Sequence, residues 1–207
     1  GGLGSELSGN IIDLCPVGAL TSKPYTFTAR SWELHKTETI DVLDGVGSNI
    51  RVDTKGKQVM RILPRLNEDV NQEWIGDKTR FAYDGLRRQR LDRPYYRDST
   101  SNKLEPVTWA TAFDVIRRQI SVLTGDEIGG IAGNLCDCES MLAFKDLLLS
   151  LGCHNIDCRQ DGAALPPGFR PGYLFNSTIA GIDEAYLCLL IGTNPRLEAP
   201  IINARLR

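Results

Sequence analysis

The sequence lacks any long hydrophobic run. The longest, Ala185 to Gly192 (AYLCLLIG), falls far short of the roughly 20 residues that a helix needs to cross a bilayer, so no membrane span is expected. It also lacks an excess of either charge. With 24 Lys and Arg against 26 Asp and Glu the net charge is −2, and no global field draws the chain to nucleic acid or anionic lipid. Cysteines are few and uneven: six in 207 residues, with none between Cys15 and Cys136, which argues against a secreted disulfide framework and for a reducing compartment. The opening GGLGSELSGN has neither the regions of a signal peptide nor an Arg-rich transit pattern, and it has no initiator Met. The closing LEAPIINARLR reads as a helix without a Gly or Asn stop, so both ends are expected to be fragment ends. No internal repeat or low-complexity tract is present.

The chain does have the ordinary composition of a packed protein, 42% hydrophobic and 24% charged. TIDVLD, NIRVD and QVMRILP, with a turn at Thr54-Lys55-Gly56-Lys57, predict a small β meander over residues 39–64. The charged segment that follows ends in a DSTSNK loop, and a boundary is expected near residue 100. Beyond it, Thr108 caps a predicted helix carrying Trp109, Phe113, Ile116 and Ile120. EIGGIAG predicts a strand, and a second helix from about Asp137 to Leu151 has Met141, Phe144 and Leu148 on one stripe and Gly152 as its stop. CHNID predicts a short strand, YLCLLIG a buried one, and a final helix follows TNP. Strand, helix, strand, helix in this order implies right-handed parallel crossovers, an α/β second half in a chain that is α+β overall.

Cys136, Cys138, Cys153, His154 and Cys158 tempt a metal reading, but a helix of about 14 residues is about 20 Å long and separates the start of the second strand from the end of the first. Three thiols on one edge make a poor closed zinc site, so these are read as core or loop cysteines, and Cys188 as core packing. Cys15 in DLCPVGAL leaves two readings open. It is a small buried hydrophobe, or it is one ligand of a thiolate cluster. For the second, Pro16 fixes the backbone and removes a donor, Gly18 permits a tight turn, and Val17, Ala19 and Leu20 offer apolar shielding. The arginines from Arg80 through Arg87, Arg88, Arg90 and Arg93, interleaved with Phe81, Tyr83 and Leu86, fit a solvated face or a subunit interface.

SELSGNIIDLCPVGALTSKPYTFTAR resembles the large iron–sulfur subunits of mitochondrial respiratory complex I, NADH:ubiquinone oxidoreductase, in the region that follows their ferredoxin-like clusters. TETIDVLDGVGSNIRVD, RILPRLNEDVNQEWIGDKTRFAYDGLRRQRL and NSTIAGIDEAYLCLLIGTNPRLEAPIINAR continue the resemblance, which covers nearly the whole chain and is weakest across residues 95–170. It implies that Cys15 is the last of four ligands of a [4Fe–4S] cluster, with the three thiolates of a CxxCxxC segment outside this sequence or on a separate chain. Bacterial relatives carry a further cluster whose ligands match Asp41, Asp44, Ser48 and Gly76 here, and these replacements imply its loss. The wider resemblance is to molybdopterin oxidoreductases. Gly192, Thr193 and Asn194 would then lie near a pterin nucleotide, but no molybdenum ligand is present, no molybdopterin is expected, and the three are read as turn formers.

The resemblance therefore implies three parts: residues 1–36 closing a ferredoxin-like iron–sulfur region, residues 37–100 forming a small β-rich domain resembling the iron–sulfur domain of molybdopterin oxidoreductases, and residues 101–207 starting a parallel α/β domain. It implies an electron-transfer subunit with no complete active site of its own, on the matrix side of the mitochondrial inner membrane. Its expected partners are other peripheral-arm subunits, including the flavoprotein. The rivals are a cluster-free scaffold of the same arm and a molybdopterin-dependent remnant.

Overall fold

The computed structural model describes residues 3–98, 100–159 and 168–207. In chain order its helices and strands are α1 (Asn10–Leu14), β1 (His35–Ile40), β2 (Asn49–Lys55), β3 (Gln58–Pro64), α2 (Asp77–Phe81), β4 (Tyr95–Arg97), β5 (Leu104–Pro106), α3 (Trp109–Ile120), β6 (Gly130–Ile131), α4 (Cys138–Ser150), β7 (Ile156–Asp157), α5 (Pro195–Glu198) and α6 (Pro200–Arg205). Packing groups residues 1–89 with 171–207 in one unit and residues 90–170 in another.

In the first unit the expected meander forms, with β1, β2 and β3 antiparallel in that order. The β1 strand lies earlier than TIDVLD suggests, because the chain leaves the sheet at Asp41. That residue turns inward, and its carboxylate accepts a 2.7 Å bond from the Thr79 hydroxyl. Between Asp53 and Thr54 the register skips Met60, a bulge that delivers Met60 into the core beside the other buried apolar side chains of this unit, Leu34, Val46, Ile50, Ile75 and Ile201. Six such residues are few, at about 1.5–3 kcal/mol each. Polar groups complete the interior.

Asp53 is fully buried, and it is held by Arg51 at 2.9 Å and by its cross-strand partner Arg61 at 2.8 Å. The Arg61 guanidinium also lies 4.6 Å from the centre of the Tyr25 ring. Asn71 is buried and closes the loop after β3: its Oδ1 accepts from Asn49 N–H at 2.9 Å, and its Nδ2 faces the carbonyls of Arg65, Gln72 and Trp74 at 3.1–3.2 Å. The helix α6 is fastened to the same loop. Arg205 donates to the Val70 carbonyl at 3.3 Å and to that of Glu68, and it pairs with Asp183. Asp44 is half-buried. Desolvation pushes its carboxyl above the usual value, Asp41 adds to the rise, and the bond from Val46 N–H only partly opposes it.

In the second unit the parallel crossover is present: β6 and β7 pair in parallel, joined by α4. Both predicted helices form, the first with its predicted cap Thr108 and the second with Asp137 as its cap. Thr108 accepts from Thr111 N–H at 3.2 Å and Asp137 from Ser140 N–H at 2.7 Å. Gly152, at φ +72°, ends α4 in a Schellman turn in which Cys153 N–H reaches the Leu148 carbonyl. A Cβ at Gly130 would lie 2.2 Å from Leu148 Cδ1 and 2.8 Å from Phe144 Cζ, so the glycine is what lets α4 rest on β6. Between β4 and β5, Asp98 N–H donates to the Lys103 carbonyl at 3.0 Å.

YLCLLIG is not a buried strand. Residues 186–191 pair with no strand among the described residues, and Tyr186, Leu187, Leu189 and Ile191 are each at least 78% exposed. An apolar run acquires burial only from neighbours on both of its faces, and the described chain supplies none. Cys188, read as core packing, is exposed for the same reason.

The polar interior can be probed from both sides. Asn71→Ala leaves the Asn49 N–H and several carbonyls without a buried partner, so chemical denaturation of the chain is expected to register a loss of about 3 kcal/mol or more. Asp44→Asn keeps an acceptor for Val46 N–H but removes a carboxylate that the fold disfavours. Because the folded pKa lies above the unfolded one, the variant's advantage is present at neutral pH and fades as pH falls through that raised pKa toward the unfolded one. After allowance for solvent screening it amounts to a few tenths of a kcal/mol, read as a higher Tm at pH 7 and no difference near pH 3.

Candidate functional site

Cys15 stands at the end of α1, and its position is set by residues 60 and more positions away. The helix starts at Asn10, whose buried side chain works in both directions: Nδ2 donates to the Ile75 carbonyl at 2.8 Å, and Oδ1 accepts from Ile75 N–H at 3.1 Å. Asp77, at the start of α2, accepts from Gly9 N–H at 2.7 Å and from the Ser8 hydroxyl at 2.6 Å. Arg80, on the same helix, is 4% exposed. Its Nη2 donates to Asn10 Oδ1 at 3.0 Å and pairs with Asp13 at 2.6 Å. Only glycine fits at position 9, because a Cβ there would lie 2.7 Å from Asp77 Oδ1 and 2.8 Å from Arg80 Cδ. These contacts clasp the first turn of α1 to α2 and present its last turn outward.

At that last turn Cys15 N–H still bonds the Ile11 carbonyl at 3.2 Å, while Cys15 itself is extended at φ −71°, ψ 113°. Extended backbone is what the following Pro16 demands. The chain then folds back so that the sulfur lies 2.9 Å from the Val17 carbonyl oxygen. The backbone of Val17, then that of Leu20 and Ala19, holds the thiol below its ordinary pKa. A lowered pKa reduces the cost of removing the thiol proton, which in this turn is donated to the Val17 carbonyl. Cys15 is neither buried nor packed as a core hydrophobe, and Leu14, Val17 and Leu20 beside it are exposed. The glycine at 18 is not forced by the turn: its φ is not positive, and a Cβ there would meet nothing within 4 Å.

Of Asp41, Asp44, Ser48 and Gly76, which the resemblance matches to a further cluster, none carries a thiolate. Asp41 and Ser48 are buried and joined by the bond from Asp41 N–H to the Ser48 carbonyl at 2.8 Å, and Asp41 is already engaged by Thr79. At Gly76 a Cβ would press to 3.1 Å from Pro200 Cγ, so α6 occupies the space that a fourth ligand would need. The turn after residue 191 fits a phosphate no better. Gly192 has φ +62°, as a turn requires, but the Thr193 hydroxyl is taken by the Glu198 carboxylate, which would repel an anion.

The remaining thiols separate as the crossover dictates. Cys153 is fully buried at the start of β7, with its sulfur 3.0 Å from the Ile128 carbonyl, while Cys136, Cys138 and Cys158 are exposed at the other edge. Among the described residues no three His, Cys, Asp or Glu side chains are placed to hold a metal, and no helix is long and apolar enough to cross a membrane. Sequence reasoning missed the clasp itself. Arg80 reads as the first of a basic run, yet it is interior, whereas Arg87, Arg88, Arg90 and Arg93 are exposed. The one available signal is Gly9 directly before a helix that begins with Asn.

The model for "NADH-quinone oxidoreductase subunit 3, ferredoxin-like domain" matches residues 1–21, and that for "NADH-ubiquinone oxidoreductase NDSU1/NuoG-like, 4Fe-4S domain" matches residues 34–84. The chain is similar to the "NADH-ubiquinone oxidoreductase 75 kDa subunit" of Reclinomonas americana, at 54% identity over 98% of this chain and 31% of that protein. It is similar also to "NADH dehydrogenase [ubiquinone] iron-sulfur protein 1, mitochondrial" of Solanum tuberosum, at 53% over 98% of this chain and 27% of that protein. The "NADH-ubiquinone oxidoreductase 78 kDa subunit, mitochondrial" of Candida albicans matches at 56% over 99% of this chain and 29% of its own length. The chain thus spans about a third of the length of the curated relatives it matches. Residues 90–207, more than half of it, match the model for molybdopterin oxidoreductases, and the chain belongs to the molybdopterin oxidoreductase family, with NADH-ubiquinone oxidoreductase iron–sulfur subunits among its relatives.

Proposed function

We propose that the chain is part of an electron-transfer subunit of NADH:ubiquinone oxidoreductase, in which Cys15 supplies one of four thiolates to a [4Fe–4S] cluster and the other three come from residues outside this sequence. The observation that carries this reading is the Cys15 turn, where an accessible thiol with a lowered pKa sits at the end of a clasped helix. The identity of more than half of the residues with iron–sulfur subunits of that oxidoreductase supports it.

The cluster, when bound, supplies one-electron storage and transfer. Everything else falls to the chain's own groups. The backbone of Val17, Ala19 and Leu20 lowers the cost of deprotonating the thiol before it meets iron. The clasp fixes the start of α1 and the turn's own backbone holds the sulfur, so the ligand is presented with little freedom. Leu14, Val17 and Leu20 form an apolar rim which, once covered by the polypeptide bearing the other ligands, excludes water from the site. No acid–base residue is required.

In this reading residues 1–36 close a ferredoxin-like region, residues 37–100 form a β-rich domain without its cluster, and residues 101–207 begin the molybdopterin-oxidoreductase-like part without its cofactor. The subunit sits in the peripheral arm on the matrix side of the mitochondrial inner membrane, beside the flavoprotein subunit that receives electrons from NADH. The other three thiolates lie on the same polypeptide or on a separate chain.

Cys15→Ser in the assembled complex is expected to abolish the paramagnetic signal of one cluster and to lower the iron content by about four atoms per complex. Cys188→Ser is expected to leave both unchanged. An unaltered spectrum in Cys15→Ser would reduce the chain to a cluster-free scaffold.

A further inference from the structure

The residue that holds the Cys15 helix in place is also a buried charge. Arg80 is 4% exposed, its Nη2 is shared by Asp13 and Asn10, and its Nε is buried with no hydrogen-bond partner. Asp13 is two residues before Cys15, a separation of at most about 7 Å along the chain. A cavity of about 400 Å³ is lined by Ile12, Asp13, Arg61 and Arg80 together with Val17 and Leu20 of the cysteine turn, so both charges of the pair border the same space as residues that flank Cys15. The two charges of the pair are unequally shielded. Asp13 keeps 27% of its side-chain exposure and is screened by water, whereas Arg80 keeps 4%.

We infer that Arg80 and Asp13 are opposed electrostatic positioning residues for the cluster proposed at Cys15: the buried cation raises its reduction potential and the carboxylate lowers it. The inference rests on that cluster assignment. A buried positive charge stabilises the state carrying one more electron, and nearby charge is one of the protein's levers on an iron–sulfur potential. A purely structural clasp has no such sign. Loss of either partner would then loosen α1 in the same way.

The test is a potentiometric titration, with dithionite donating one electron per cluster, of the cluster signal that Cys15→Ser removes. It is carried out in the assembled complex with wild-type chain, Arg80→Met, Arg80→Lys and Asp13→Asn. Arg80→Met is expected to lower the reduced-to-oxidised ratio at fixed potential about tenfold, equivalent to about 59 mV for a one-electron couple. Asp13→Asn is expected to raise the ratio, and Arg80→Lys, which keeps the charge, to stay close to wild type. If Arg80→Met fails to assemble, the sign for Asp13→Asn decides. Shifts of the same sign in Arg80→Met and Asp13→Asn, no shift with an intact signal, or failure of both to assemble would each overturn the inference. A Cys15→Ser complex that keeps every signal refutes the cluster assignment instead, so the two failures are distinguishable.

Discussion

The contact on which the cysteine turn depends is the buried clasp of Asn10, Asp77 and Arg80. A five-residue helix has almost no stability of its own, since nucleation costs more than one turn returns. The helix α1 persists because the Gly9 N–H just before it and its Asn10 side chain are taken up by α2 and by the segment just before α2. Each bond is part of a charge-assisted or buried set, where removal of one partner strands another. The clasp therefore couples the cysteine turn to the stability of the whole first unit, although the Cys15 sulfur is held by the backbone of its own turn and not by any of the three residues.

This unit has a polar interior for a reason that its few apolar residues make plain. Asp53 between two arginines, Asn71 among four backbone groups and Asp41 under Thr79 do the closing that a larger hydrophobic core would otherwise do. Such networks contribute little net energy beyond apolar packing, but they tolerate only one arrangement, because any other leaves a buried group unpaired. Precision rather than strength is what a metal ligand needs from its support. Asp41 accepts a hydrogen bond in this polar interior, and the space beside Gly76 belongs to Pro200.

Where structure follows local periodicity, the sequence is a good guide. The meander, both capped helices of the second unit and the parallel crossover are legible because β-branched alternation, Thr108, Asp137 and Gly152 act within a few residues of the elements they define. Burial is less legible. YLCLLIG has the composition of an inner strand, but composition states only what a segment needs and not whether the neighbours that satisfy it are in the same chain. The clasp is illegible for the opposite reason. Its members are separated by about 70 residues, and Arg80 is camouflaged by the exposed arginines that follow it.

Cys15 joins these two limits. Its chemistry is local: proline after it, backbone groups around the sulfur, a lowered pKa. Its geometry is not local, since everything that fixes the helix before it comes from α2 and the adjacent loop. A thiol whose pKa is lowered by three backbone groups but which is left in water would be an oxidation hazard, because exposure and ease of deprotonation together govern reactivity toward oxidants. An arrangement that invests a buried arginine, an exposure-sensitive thiol and a glycine with no room for a side chain in presenting one sulfur makes physical sense when that sulfur is covered and coordinated. A scaffold would be served as well by alanine at position 15, with none of those constraints.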